Sequence, residues 1–140
     1  MVAKVLRGVW FLSVLISFGA LLYAYASMPM ELVVGQKDVS LTMVSREIVF
    51  YVALALFTFV NIFVFLVAKL KRTDYDFRAW FYGLIVTLNI FLVISLSFIT
   101  VANTGENYDF SNVGYLIYGS IALFMIWLIS WPVYQLFRKI

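Results

Sequence analysis

Residues 48–68 read IVFYVALALFTFVNIFVFLVA, twenty-one side chains without a charge. At ~1.5 Å rise per residue, a helix of that length is about 31 Å long, which matches the hydrocarbon thickness of a bilayer. Three further runs repeat the pattern: Val9–Ala26, Ala79–Ala102 and Val113–Phe137, none with a charged side chain. Across all 140 residues, 65% are hydrophobic and 12% charged, with a mean hydropathy of +1.03. A soluble core needs polar surface to cover it, and this chain has too little. The sequence therefore predicts an all-α membrane protein, a four-transmembrane-helix antiparallel bundle forming one integral membrane domain over 1–140. The helices are expected at roughly 5–27, 46–71, 76–102 and 111–138.

The first run also has the marks of a signal peptide: a basic start, an apolar stretch, and small residues at Ala24 and Ala26. A retained first helix is the expectation. With no cysteine, disulfide and thiolate chemistry are excluded. With no histidine, the commonest haem and zinc ligand and the commonest proton shuttle are missing.

Charge sets the predicted orientation. Lys4, Arg7, Lys69, Lys71, Arg72, Arg78, Arg138 and Lys139 fall on one side of the predicted spans, and only Lys37 and Arg46 on the other. With the acidic residues included, the two sides carry +6 and −3. The positive-inside rule places both termini and the 69–78 turn in the cytoplasm of a bacterial inner membrane. The basic face is then a topology signal that also meets anionic lipid headgroups. Nucleic-acid binding is not expected, since no water-exposed domain carries a basic groove. Trp10, Trp80, Trp127 and Trp131 lie toward the cytoplasmic ends, and Tyr23, Tyr25, Tyr51, Tyr108, Tyr115 and Tyr118 toward the outer ends, as interfacial belts do. Short connections predict that consecutive helices pack as antiparallel neighbours.

Between the first two spans, residues 30–43 alternate like strands. Met30, Leu32 and Val34 occupy one side of the first run, and Val39, Leu41 and Met43 the matching side of the second. Gly35 and Asp38 stand in the connection, which is ordinary turn chemistry. This predicts a short extracytoplasmic β-hairpin, with Pro29 ending the first helix, Ser45 capping the second, and Glu47 in its first turn. An isolated hairpin is marginal in water, so its apolar face must lie on something. It caps its own bundle or serves as a docking edge for a partner chain. In the second outer loop, Glu106 and Asp109 read as solvated carboxylates, with Asp109 or Ser111 capping the fourth helix.

Polar groups inside the spans are few. Ser13 and Ser17, followed by Ala20 and Ala24, form a small-residue stripe on the first helix, and Gly83 and Thr87 lie four apart on the third. Such spacing lets helices approach closely. Asn61 lies eight residues from Lys69, and Asn89 eleven from Arg78. Those separations put the two amides ~12 and ~16 Å deep, close enough in level to bond across helices. Pro132 is expected to bend the last turn of the fourth helix. The spans hold no carboxylate for proton-coupled export, no axial histidine for haem, and no serine–histidine pair or metal cluster for hydrolysis. No catalytic residue, cofactor or metal is expected.

The order Pro29, Gly35, Asp38, Ser45, Arg46 after a first span resembles small bacterial membrane proteins related to immunity proteins against the sporulation-delay toxin. The likeness covers about 30 residues. The family's loop also carries a His-Phe pair, absent here. The resemblance implies toxin immunity or signal reception, with a peptide bound through the outer hairpin. Elimination of other chemistries points instead to a non-catalytic accessory or assembly subunit of a larger inner-membrane complex. Its partners would be lipid and other integral membrane proteins. A third reading is a small homo-oligomeric carrier with Asn61 and Asn89 lining a polar path.

Overall fold

The computed structural model describes residues 2–37, 40–103 and 110–140, with side chains placed at 2–30, 44–100 and 114–140. Four helices dominate: α1 (Val2–Ser27), α2 (Arg46–Leu70), α3 (Tyr75–Asn103) and α4 (Phe110–Lys139). Each is long and apolar enough to cross a membrane, which gives the chain the build of a multi-pass membrane protein. Between α1 and α2 the backbone is extended over Glu31–Lys37 and Ser40–Ser45. Of the expected connection at 35–38, residues 35–37 continue the extended backbone, and Asp38 lies outside the described residues, as do the side chains of Leu32, Val34, Val39, Leu41 and Met43. Glu106 and Asp109 do as well. Met30 is exposed.

The helix ends are built from local chemistry. Ser45, extended at φ −67° and ψ 148°, accepts a bond from the Ile48 amide at 3.4 Å and caps α2, with Glu47 in the first turn. Asp74 opens α3: its Oδ1 accepts from the Phe77 amide at 3.1 Å, and its carbonyl accepts from the Arg78 amide. Ser111 is a helical residue of α4 and not its cap. Pro132 lies inside α4, which continues through it to Lys139.

Ring and polar contacts fix the directions of the helices. Trp10 meets Phe65 and Tyr25 meets Phe50, so α1 and α2 run antiparallel. Asp76 meets Arg138, so α3 and α4 do too. Both chain termini consequently sit at one end of the bundle. The expectation of consecutive neighbours needs correcting for α1, whose most extensive packing is against α3, running parallel to it. The cause is the small-residue stripe. Ser13, Ser17 and Ala24 leave α1 narrow on one side, and close approach there brings in more dispersion contact than the shorter connection to α2 can.

Packing is organised as two apolar clusters, one toward each end. Trp10, Val64, Tyr82 and Ile85 form the cluster near the termini. Leu21, Ala24, Met28, Phe57 and Leu96 form the other. Each draws on the α1 segment, α2 and α3. Among the described residues, none from α4 enters either cluster, and α4 packs against α3.

Candidate functional site

Between the two apolar clusters lies a polar junction of three helices. Asn61 Nδ2 donates to Asn89 Oδ1 at 3.0 Å, and Asn89 Nδ2 donates to Asn61 Oδ1 at 3.1 Å. The second hydrogen on each amide nitrogen is also used. Asn61 donates to the Phe57 carbonyl at 2.7 Å, and Asn89 to the Ser13 hydroxyl at 3.1 Å. Trp10 Nε1 donates to Asn61 Oδ1 at 2.9 Å, which fills that oxygen's second lone pair. Ser13 in turn donates to the Trp10 carbonyl, and Ser17 to that of Ser13. Asn89 is 1% exposed. A buried polar group is tolerated when its valences are met, and here nearly all are.

The structure thus joins Asn61 and Asn89 and adds Trp10 and Ser13 to them. Trp10 is 8% exposed and turned into the bundle, which removes it from the interfacial belt that its position near the end of the span predicts. The available signal was helical spacing: Trp10, Ser13 and Ser17 follow one another at i, i+3 and i+7 on one face of α1. A cavity of about 170 Å³ between α1 and α2 reaches Asn61 alongside Ser17 and Thr58. It meets an amide whose valences are taken up by protein groups.

The other small-residue pair divides. Thr87 is buried, its hydroxyl donating to the Leu84 carbonyl at 2.7 Å. Gly83 faces α4 and forms the notch for the Trp127 indole; a methyl there would overlap Cζ2 of that ring. Trp127 Nε1 donates to the Trp80 carbonyl at 2.8 Å, and Trp80 Nε1 to the Trp127 carbonyl at 2.9 Å. Trp131 lies against Phe77 and Trp80, and the Tyr134 hydroxyl donates to Asp76 at 2.8 Å. An aromatic seam near the termini is therefore what holds α4. The seam borders a cavity of about 580 Å³ whose lining includes Val2, Tyr75 and Trp131.

At the opposite end, Arg46 ties α1 to α2. Its guanidinium lies 4.9 Å from the Tyr25 ring, Nη1 reaches the Met28 carbonyl at 3.5 Å, and its amide donates to the Met30 carbonyl at 3.0 Å. Among the described residues, no three histidine, cysteine or carboxylate side chains converge as a metal site.

No family model, curated protein or solved structure matches the chain. The likeness at Pro29–Arg46 therefore rests on those loop residues alone.

Proposed function

We propose that the protein is a non-catalytic accessory or assembly subunit of a larger complex in a bacterial cytoplasmic membrane, with both termini cytoplasmic. The observation that carries this reading is the isolation of α4. Only 6% of its apolar span is buried, against 11% for α2, 17% for α1 and 33% for α3. Its open sides carry Tyr118, Ile126 and Ile129, and a methyl added at Gly119 would meet no atom of another element within 4 Å among the described residues. Small residues on an open helix face admit a second helix at close range, whereas lipid chains need no such notch. The basic residues at the termini-bearing end support the orientation.

The outer segment contributes a second docking element in this proposal. The antiparallel register running from Glu31 opposite Ser45 to Lys37 opposite Ser40 supports a hairpin there. The same register, with the Pro29–Arg46 likeness, favours toxin immunity or peptide reception as the alternative. The carrier reading loses support at Asn61, whose amide is saturated by Trp10, Phe57 and Asn89.

A photo-crosslinking amino acid placed at Gly119 or Ile126 in the native membrane tests the proposal. A discrete crosslinked band containing another membrane protein is expected. Crosslinks to lipid alone would overturn it.

A further inference from the structure

A second cavity, of about 460 Å³, opens where the termini-bearing ends of α1, α2 and α3 meet. Four cationic side chains line it: Arg7 from α1, Lys69 from α2, Arg72 from the turn after it, and Arg78 from α3. Its deeper wall is apolar and aromatic, made by Trp10, Val64, Phe65 and Tyr82. Among the described residues, no carboxylate lines it. Among the described residues, none of the four cations is ion-paired, because the nearby acids are engaged elsewhere. Asp74 caps α3, and Asp76 holds Tyr134 and Arg138.

Arg78 is the most informative of the four. Its Nη1 donates to the Arg72 carbonyl at 2.9 Å, and its guanidinium lies 5.4 Å from the Tyr75 ring. These contacts hold the side chain in place. Its Nε, however, is buried and has no acceptor among the described residues. A buried donor without a partner is rare in folded proteins and asks for an explanation, such as an acceptor from outside the chain. Four like charges around one cavity also repel one another, and an anion between them offsets part of that repulsion.

We propose that this cavity is a specific, saturable binding site for the phosphate headgroup of an anionic membrane lipid. The phosphate would accept from Arg78 Nε and meet Arg7, Lys69 and Arg72, since guanidinium groups suit phosphate oxygens. One acyl chain would lie on Phe65, Val64 and Tyr82. Val64 precedes Lys69 by five residues, so the apolar wall extends ~7 Å from the charged rim toward the membrane core. A free phosphate offers the same headgroup chemistry but leaves that wall uncovered. The site differs from a diffuse attraction of basic residues to a charged leaflet in having a fixed stoichiometry and named ligands. It does not depend on the protein having a partner subunit.

Native mass spectrometry of the full chain in a non-ionic detergent tests this, with dioleoyl phosphatidylglycerol and dioleoyl phosphatidylcholine added in turn. One phosphatidylglycerol should be retained per chain, about tenfold more tightly than phosphatidylcholine. The double variant R7Q/R78Q should lose that preference. The double variant R138Q/K139Q removes the same charge from the same end and should keep it. Thermal unfolding in detergent checks that each variant is folded. Should R7Q/R78Q unfold, R72Q and R78K take its place, and each is expected to weaken retention. Equal retention of the two lipids, or equal loss in the two double variants, would overturn the proposal. Displacement of the lipid by millimolar glycerol phosphate would assign the cavity to a soluble phosphate ester and overturn the lipid assignment.

Discussion

Asn61 and Asn89 exchange two amide hydrogen bonds between α2 and α3, at 3.0 and 3.1 Å, and Trp10 and Ser13 of α1 complete the junction. Replacing one partner strands the others. Asn89→Leu should therefore destabilise the fold by about 1–3 kcal/mol, the cost of leaving buried donors and acceptors unmet. Asn61→Leu should act alike, and the double variant should cost less than the sum of the two. The coupling should fall near 0.6 kcal/mol, and below about 1.7, as for interhelical bonds in membrane proteins. Reversible unfolding in mixed micelles measures it.

Gly83 sits under the indole of Trp127. Gly83→Ala should push α4 off α3 and destabilise their contact by about 1–3 kcal/mol, the usual penalty of overpacking. Trp127→Ala alone opens a gap. Combined with Gly83→Ala, it should recover part of the loss, because the added methyl then has room. A disulfide between cysteines introduced at facing positions of α3 and α4 reports their separation, since the native chain has no cysteine.

Much of this was legible in the sequence. Span length and absence of charge identify four helices, because the bilayer imposes both. The levels of Asn61 and Asn89 follow from helical rise, and Ser45 with Glu47 reads as a helix start. The lateral order of helices was not legible. Loop length says which helices are joined, whereas the parallel α1–α3 contact depends on which faces fit. Trp10 misled for a similar reason. An aromatic near a span end looks the same whether it meets headgroups or bonds inward, and only its alignment with Ser13 and Ser17 separates the two. The capping of α3 by Asp74 was not read from the sequence, where that residue enters only through the summed charge.

The basic residues at the termini-bearing end predict orientation. With single cysteines introduced at Lys4, Thr73 or Lys139, a membrane-impermeant maleimide should label none of them in intact cells and all of them after lysis. A cysteine at Ser40 should label in intact cells. The reverse pattern would contradict the assigned topology.

The isolation of α4 predicts that Gly119→Leu does not destabilise the fold, and adds up to about 1 kcal/mol through helix propensity, while weakening any partner contact made there. Thermal unfolding and recovery of partner proteins, measured on the same preparation, separate the two effects.

The central claim is that this chain works as part of a larger assembly. Mild-detergent purification of the tagged chain from its native membrane, followed by native mass measurement, tests it most directly. The account predicts a particle containing other membrane proteins in fixed ratio to this chain. A homogeneous particle made of this chain and lipid alone would contradict it.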